Sequence, residues 1–357
     1  MKAWLLPSPG QELQFKDIDD APPPAGAIAL RMEATPMLSY LGDYVSGKLP
    51  YWFPEGPFVP GTNGVARVET IGDGVYHLRP GQRVALSPYL VARENVDEPA
   101  QILIGLTGIS ADCGPLLADW PNGTLAERII MPASVVTPLD GLDGHSSVAL
   151  ATLGKFAVPM GGLLRGRLAA GETLIVNGAN GYFGSAAVLL GLAMGAGRVV
   201  AVGRNRATLE KLVALDPNRI SAASLSGEVE QDAATISKAA GGGAHLAFDM
   251  VGQASDAAAT LASLNALKRG GRLVLMGSMS TPLPIDYSKL LSNNWEVIGN
   301  FMYDLVAYRR LASLVRSKLL DLDRVNVRVF ALNDMPAAIT AAAAMRGLDC
   351  TVIDFAT

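Results

Sequence analysis

The second half of the chain alternates between short apolar runs and longer segments rich in Ala and Leu, beginning near Ser147. The apolar runs are hydrophobic at successive positions, which indicates strands covered by helices on both faces. This pattern predicts an α/β fold in which a parallel sheet is doubly wound by helices. The six strands are predicted at 173–177, 199–203, 220–224, 245–250, 272–277 and 296–301.

The helices between these strands are predicted to begin near Gly181, Arg206, Asp232 and Ala257, and a further helix is predicted at 305–318. The first part of the chain differs, since it consists of short strands interrupted by Gly and Pro. Three of its strands are predicted at 27–32, 64–71 and 83–87. We therefore predict a β-rich domain at 1–150 and a Rossmann-type dinucleotide-binding domain at 151–302, with 303–357 returning to pack against the first domain.

The length of 357 residues is sufficient for two domains, each with its own core. The net charge of -4 offers no cationic face for a nucleic acid or an anionic membrane, so we expect neither partner. We find no apolar run of about 18 residues that would indicate a membrane span. Two cysteines cannot form a disulfide framework, and a reducing cytoplasm is the expected location.

Three glycines follow the first predicted strand of the parallel sheet, at positions 178, 181 and 184. Gly178 would permit the tight turn, Gly181 would let the backbone approach a pyrophosphate, and Gly184 would let the next helix pack closely. The spacing is GxxGxxG and departs from the usual GxGxxG. The strand, turn and helix order nevertheless predicts a dinucleotide site. The contacting residues are predicted to be Asn177, Gly178, Ala179, Asn180, Gly181, Tyr182, Phe183 and Gly184.

The second predicted strand ends in Gly203-Arg204-Asn205-Arg206, where NAD-binding sites usually carry Asp or Glu. No carboxylate is available there for the ribose hydroxyls, whereas a guanidinium group can bind a 2′-phosphate. This predicts NADP(H) as the cofactor, bound by Gly203, Arg204 and Asn205. We favour Arg204 over Arg206 because it directly follows the strand.

Several further segments together resemble the medium-chain dehydrogenase/reductase superfamily. They are Val59-Pro-Gly-Thr-Asn-Gly-Val-Ala-Arg-Val-Glu-Thr-Ile-Gly72, Pro80-Gly-Gln-Arg-Val84, Gly123-Thr-Leu-Ala-Glu127, Asp249-Met-Val-Gly252 and Leu267-Lys-Arg-Gly-Gly-Arg-Leu-Val-Leu-Met-Gly277. The resemblance implies a GroES-like substrate domain joined to the Rossmann domain. The nearest branch that it implies is the zinc-free quinone oxidoreductases.

Zinc alcohol dehydrogenases of this superfamily have a Cys in an early loop, a GHE motif and a later Cys or Asp around the metal. This chain has Ser39-Tyr-Leu-Gly-Asp43 at the first place and Gly61-Thr62-Asn63 at the second. Cys113 and Cys350 are too few to replace the missing ligands, and a tetrahedral zinc site is not expected. We therefore predict a reaction that does not use a metal.

A substrate without a Lewis acid must be activated by other means, and conjugated acceptors spread the developing negative charge. The resemblance therefore implies reduction of a quinone or an α,β-unsaturated carbonyl by hydride from NADPH. Candidate hydrogen-bond donors lie in the early loop at Tyr40, Asp43 and Tyr44. The resemblance also implies that Thr152, ahead of the Rossmann domain, lies near the nicotinamide. Residues expected at the strand ends near the same ring are Val251, Gly277, Ser278, Asn300 and Phe301.

Alternative functions remain open at this stage. Within the same chemistry, the chain could be a zinc-free alcohol or ketone dehydrogenase, or an enoyl-thioester reductase. A different functional class is a non-catalytic protein that binds NADPH. A methyltransferase is also considered, but the six predicted strands and Arg204 disfavour it. By analogy with the superfamily, the last strand of the parallel sheet is expected to join two copies into a homodimer.

Overall fold

The computed structural model describes residues 1–356 and contains two large sheets with helices around one of them. The strands are β1 (Lys2–Leu5), β2 (Gln14–Asp17), β3 (Ala27–Pro36), β4 (Gly64–Ile71), β5 (Arg83–Leu86), β6 (Tyr89–Val91), β7 (Gln101–Leu103), β8 (Thr107–Gly108), β9 (Arg128–Pro132), β10 (Val136–Pro138), β11 (Thr173–Asn177), β12 (Arg198–Gly203), β13 (Ile220–Ser224), β14 (Ala244–Asp249), β15 (Leu267–Leu275), β16 (Glu296–Gly299), β17 (Asn326–Ala331) and β18 (Asp349–Asp354).

The helices alternate with the strands in the middle of the chain and are sparse elsewhere. They are α1 (Leu41–Val45), α2 (Gly114–Asp119), α3 (Ser147–Ala151), α4 (Leu153–Arg165), α5 (Tyr182–Ala193), α6 (Arg206–Val213), α7 (Val229–Ala239), α8 (Ala258–Asn265), α9 (Tyr287–Asn293), α10 (Val306–Arg316) and α11 (Met335–Ala343). Short 3-10 turns lie at Ala133–Val135, Leu322–Arg324 and Leu332–Asp334.

The parallel sheet has the strand order β13-β12-β11-β14-β15-β16, with every neighbouring pair parallel. This confirms the predicted doubly wound α/β fold, and β11 and β13 have the predicted bounds. Strand β15 begins earlier than predicted because an irregular register brings Leu267 into the ladder with Ala244. Strand β16 ends at Gly299, two residues before the predicted bound, and the chain then passes through a positive φ of 55° at Met302.

Strand β11 lies at the centre of this sheet and is buried along its whole length. Helix α5 packs against it and is apolar on all sides, as a helix buried in an α/β core requires. The close packing depends on Gly191, because a Cβ atom there would lie 2.6 Å from Leu174 Cδ2. The core therefore forms around the same strand that ends in the glycine turn.

The second large sheet has the order β10-β5-β4-β3-β18-β17, and β9 also pairs with β3. Strand β18 is antiparallel to β3 and parallel to β17. Two strands from the end of the chain are thereby added to a sheet that residues 27–138 begin. The predicted domain boundaries at 150 and 302 stay predictions. The pairing of β17 and β18 with this sheet corresponds to the expected return of residues 303–357 to the first domain.

The helical stretch Ser147–Arg165 links the two sheets, and it is long and apolar enough to cross a membrane. In the structure, 72% of this stretch is buried inside the protein. It contains Pro159 and the fully buried Lys155. The stretch is therefore part of the protein core, where α3 contacts β3 and β4 and α4 contacts α5 and β15.

Glu33 joins strand β3 to its neighbours and to α3. Its carboxylate accepts hydrogen bonds from Arg67 Nε and Arg83 Nε at 2.9 Å each, and from Ser147 Oγ at 2.7 Å. The side chain of Glu33 is 21% exposed, so these interactions are only partly screened by solvent. The group ties the second sheet to the start of the linking helices.

We predict that Glu33→Gln lowers the free energy of unfolding by about 2 kcal/mol, because two guanidinium groups lose their charged acceptor. Urea denaturation measures this loss. The matched control is Glu210→Gln, which removes an exposed ion pair with Arg206 and should cost less than about 0.5 kcal/mol. Equal losses in the two variants would contradict the prediction.

Candidate active site

A groove with a cavity volume of about 720 Å³ opens at the carboxyl ends of β11, β12 and β14. Gly178 turns the chain out of β11 with a φ of +81°, which favours glycine. A Cβ atom at Gly184 would lie 2.1 Å from Gly178 O, so only glycine lets α5 approach the turn this closely. The predicted turn therefore has the geometry that a dinucleotide loop requires.

Helix α5 begins directly at this turn, with Gly181 as the N-cap. The N–H of Ser185 donates to Gly181 O at 3.0 Å and makes the first bond of the helix. The backbone N–H groups of Tyr182, Phe183 and Gly184 have no acceptor within the helix, because the first turn of any helix has no preceding turn to accept its bonds. These donors and the helix dipole favour a phosphate at this end of the groove.

Two buried oxygen atoms in the groove have no hydrogen-bond partner in the described chain, Asn177 Oδ1 and Asn180 Oδ1. Beside them, Asp249 accepts from Asn177 Nδ2 at 3.0 Å, from Thr260 Oγ1 at 2.5 Å and from Val251 N at 2.9 Å. Burial raises the pKa of Asp249 despite these bonds. The unsatisfied amide oxygens fit a ligand that carries hydroxyl or amide donors, as a dinucleotide does.

The far end of the groove contains Arg204, which is exposed and makes no ion pair or hydrogen bond within residues 1–356. Arg206 instead pairs with Glu210 at 2.9 Å, and Asn205 caps α6 by accepting from Thr208 N. Asn180 lies over Gly203, where a Cβ atom would come within 2.7 Å of its amide nitrogen. Arg204 is thus the guanidinium available for a phosphate.

The carboxylate of Asp232 on α7 also lines the groove, together with that of Asp256. Asp232 is nearly fully buried and accepts hydrogen bonds from Ser226 N, Ser226 Oγ and Gly227 N at 2.7–2.9 Å. These bonds fix the loop after β13. A carboxylate with three internal donors is committed to the protein and is not free to receive ribose hydroxyls.

The predicted contacts at the ends of β14 and β15 lie together in the structure. Val251 lines the groove, and a Cβ atom at Gly277 would lie 2.0 Å from Val251 O. Ser278 Oγ is close to Gly252. Asn300 follows β16, and its amide donates to Met302 O at 2.9 Å. The strand ends therefore converge as parallel strands require.

Four further predicted cofactor contacts have side chains that bond or pack within the protein or that line another cavity, and their roles stay predictions. Thr152 is fully buried, and its hydroxyl donates to Ala149 O at 2.6 Å. Phe301 is 65% exposed and lines a separate cavity beside Tyr303. The ring of Tyr182 packs beneath Lys155, and Phe183 packs edge-on against Tyr182. The backbone N–H groups of the last two residues lie in the first turn of α5.

Two of the three predicted proton donors, Tyr44 and Asp43, make contacts within the protein. Tyr44 is a core residue with 0% exposure whose hydroxyl donates to Leu106 O at 2.5 Å, and its ring stacks on Phe53. Asp43 is exposed and pairs with Lys48. Tyr44 is therefore enclosed in the core and cannot reach a substrate, whereas the role of the exposed Asp43 stays a prediction.

Tyr40 is the third predicted donor, and it packs against a cluster of buried apolar residues. It is half-buried at the start of α1, and its ring lies edge-on to Tyr51. Burial, with a smaller contribution from Tyr51, raises the pKa of Tyr40, so the phenol stays protonated. Tyr40 and Tyr182 pack against the same cluster of buried apolar residues. Tyr40 can therefore act as a hydrogen-bond donor beside α5.

Comparisons with known proteins match the chain in two consecutive parts. Residues 27–141 match the alcohol dehydrogenase GroES-like domain, and residues 183–317 match the zinc-binding dehydrogenase family. The chain belongs to the medium-chain dehydrogenase/reductase superfamily. It is an oxidoreductase with a nicotinamide cofactor, and its fold of a GroES-like domain plus a Rossmann-type sheet is confirmed.

The similar proteins are mainly dehydrogenases of alcohols and polyols. The "Putative D-xylulose reductase" of Agrobacterium fabrum is 27% identical over 98% of this chain and 97% of its own length. The L-arabinitol 4-dehydrogenase of Aspergillus niger is 26% identical over 81% of this chain and 74% of its own. An alcohol dehydrogenase of Escherichia coli CFT073, solved with NADH, superposes with a TM-score of 0.80 at 17% identity and covers 99% of both chains.

Because one matching family is described as zinc-binding, the residues at the expected metal position decide whether zinc fits here. Asn63 Nδ2 donates to Thr62 Oγ1 at 3.1 Å, while Asn63 Oδ1 accepts from Tyr308 OH at 2.7 Å. Thr35 Oγ1 donates to Asn63 O at 2.7 Å. No group of three His, Cys, Asp or Glu side chains that could hold a metal occurs at positions 1–356. The residues present do not fit zinc.

Two buried residues of this region were not predicted from the sequence. Tyr308 on α10 reaches across to Asn63, and Lys155 on α4 contacts the start of α5. The signal available for Lys155 was a single charge within an apolar helix. Tyr308 gave no signal, because its partner lies 245 residues away in the chain.

We predict that Arg204→Ala raises the Kd for NADPH about 10- to 100-fold and changes the Kd for NADH little, since one charged hydrogen bond is lost. Fluorescence titration of both nucleotides measures this. The matched control is Arg206→Ala, whose guanidinium already pairs with Glu210 and should alter neither value. An NADPH preference that persists in Arg204→Ala would show that another group reads the phosphate.

Proposed function

We propose that the protein is an NADP(H)-dependent dehydrogenase that interconverts an alcohol and its carbonyl compound without zinc. The observation that carries the proposal is the pairing of the dinucleotide groove and free Arg204 with a metal position occupied by Thr62 and Asn63. Similarity to polyol and alcohol dehydrogenases supports the substrate class. The preference for the phosphorylated nucleotide rests on Arg204 alone, because the comparisons do not distinguish NADP from NAD.

The nucleotide, when bound, supplies or accepts a hydride at its nicotinamide ring. The protein has three tasks in this proposal. The turn at Gly178 to Gly184 would hold the pyrophosphate through the first N–H groups of α5, and the strand ends at Val251 and Gly277, which lie against each other, would hold the nicotinamide end. Tyr40, kept neutral by burial, would donate a hydrogen bond to the substrate oxygen and then a proton to the alkoxide that hydride transfer leaves, and water would reprotonate the phenolate.

A second candidate is the reduction of a quinone or an α,β-unsaturated carbonyl. The observation that favours it is the same lack of metal ligands among residues 1–356, since conjugated acceptors depend least on a Lewis acid. Exposed Trp52 beside half-buried Tyr51 would offer a flat aromatic wall to such substrates. The similarity to polyol and alcohol dehydrogenases favours the alcohol dehydrogenase candidate. Substrate assays distinguish the two candidate functions.

We expect the purified protein to oxidise NADPH with ketones or ketoses, and to consume little with a quinone, an enone or an enoyl thioester. Absorbance at the nicotinamide wavelength follows the reaction. Tyr40→Phe should lower kcat about 100-fold, as for the loss of a general acid, while the Kd for NADPH stays unchanged.

Tyr76→Phe is the matched control, because Tyr76 is 94% exposed. Faster turnover of quinones than of ketones would establish the second candidate. Nucleotide binding without turnover of any acceptor would indicate a non-catalytic protein and overturn both candidates.

We predict that prolonged treatment with a strong chelator leaves turnover unchanged and that the purified protein contains no stoichiometric zinc. The reason is that the amide of Asn63 is committed to Thr62 and Tyr308 at the expected metal position. Elemental analysis and activity after dialysis measure the two quantities. Loss of activity that added zinc restores would contradict the metal-free reaction.

We also propose a homodimer joined through the free edge of β16, in the reducing cytoplasm. Strand β16 is the last strand of the parallel sheet, and Leu291 and Tyr287 on the neighbouring α9 are exposed. Both cysteines are free and buried, which suits a reducing compartment. A monomeric mass at micromolar concentration would refute the dimer.

A further inference from the structure

Lys155 lies in the middle of α4 with 0% exposure, where the other buried residues are apolar or glycine. Its Nζ atom donates to Tyr182 O at 2.6 Å and to Gly347 O at 2.8 Å, with Asp349 O at 3.4 Å. The same atom lies 3.4 Å from the centroid of the Tyr182 ring. The cation is therefore held by backbone carbonyls and an aromatic face.

These acceptors belong to different parts of the fold. Tyr182 is the first residue of α5, directly after the glycine turn, whereas Gly347 and Asp349 lead into β18 of the other sheet. A separate bond connects the same two segments, since Gly347 N–H donates to Asn180 O at 3.2 Å. Lys155 thus reinforces a contact between the glycine turn and the segment at 347–349.

Packing alone does not call for a lysine here. Burial lowers the pKa of Lys155 to about 7, against the opposing effects of Cys350 and Asp349, so the charged form is costly at this position. A methionine would fill a similar volume at no electrostatic cost. The presence of a lysine despite this electrostatic cost suggests that its hydrogen bonds serve a purpose other than packing the core.

We propose that Lys155 is a positioning residue for the dinucleotide, which fixes the glycine turn against the segment at 347–349 so that the phosphate-binding N–H groups are preorganised. The inference rests on the proposed function in that it assumes NADP(H) in the groove. Lys155 does not touch the nucleotide in this proposal. Its effect passes through Tyr182 O and through the contact of Asn180 with Gly347.

The consequence is that the turn would be ordered only while the two sheets keep their relative position. Without the ammonium group, three carbonyl oxygens lose a charged donor and the turn gains freedom that nucleotide binding must then remove. The loss should therefore appear in cofactor affinity and in the KM for NADPH. The value of kcat at saturating NADPH should fall far less.

The test compares the full-length wild type with Lys155→Met and Leu163→Ala. Leu163 lies two turns further along α4 and is fully buried, so its truncation destabilises the same helix without touching the glycine turn. Calorimetric titration measures the Kd for NADPH, thermal melting measures stability, and hydrogen exchange of the peptide spanning 178–184 reports on the turn. A third variant, Lys155→Gln, retains a neutral donor in case Lys155→Met does not fold.

We expect Lys155→Met to raise the Kd for NADPH at least tenfold and to speed exchange at 178–184. Lys155→Gln should lie between it and the wild type, and Leu163→Ala should change the Kd less than twofold despite a lower Tm. Equal Kd values in the wild type and both Lys155 variants would overturn the inference, as would equal losses in Lys155→Met and Leu163→Ala. A wild type that binds no NADPH would instead overturn the proposed function.

Discussion

The close approach of α5 to the turn after β11 is the constraint on which the rest of the structure depends. A Cβ atom at Gly184 would lie 2.1 Å from Gly178 O, so any side chain there would separate the helix from the central strand. This single contact fixes the start of α5, and with it the direction of the unsatisfied N–H groups. It also fixes the position of Tyr182, whose carbonyl and ring receive Lys155 from the linking helix.

The position expected for a catalytic metal is filled by a hydrogen-bonded network of neutral side chains. Here the amide of Asn63 bridges Thr62 and Tyr308, and both ends of the amide are satisfied. A neutral network of this kind avoids the repulsion and desolvation that unoccupied carboxylate and imidazole ligands would suffer. In the proposed metal-free reaction, hydrogen-bond donors would therefore have to stabilise the negative charge that develops on a substrate oxygen.

The sequence allowed the parallel sheet and the glycine turn to be predicted because both are encoded locally. The apolar strands β11 and β13 contain their own burial signal, and the spacing of Gly178 and Gly184 reflects contacts within one turn. Side-chain roles were predicted less well because they depend on distant partners. Tyr44 is a predicted hydrogen-bond donor, but its hydroxyl donates to the carbonyl of Leu106, which lies 62 residues away in the chain. Lys155 was missed because its acceptors at Gly347 and Asp349 come from the other end of the chain.

Strand β18 is paired on one side with β3 and on the other with β17, and its register joins Val352 to Pro36. During synthesis, the emerging N-terminal sheet therefore has an open edge along 34–36 until residues near 350 have left the ribosome. An exposed strand edge of this kind can pair with other chains. The Rossmann-type sheet, formed from one continuous segment, can fold in the meantime, so the order of synthesis separates an early-folding half of the molecule from one that must wait.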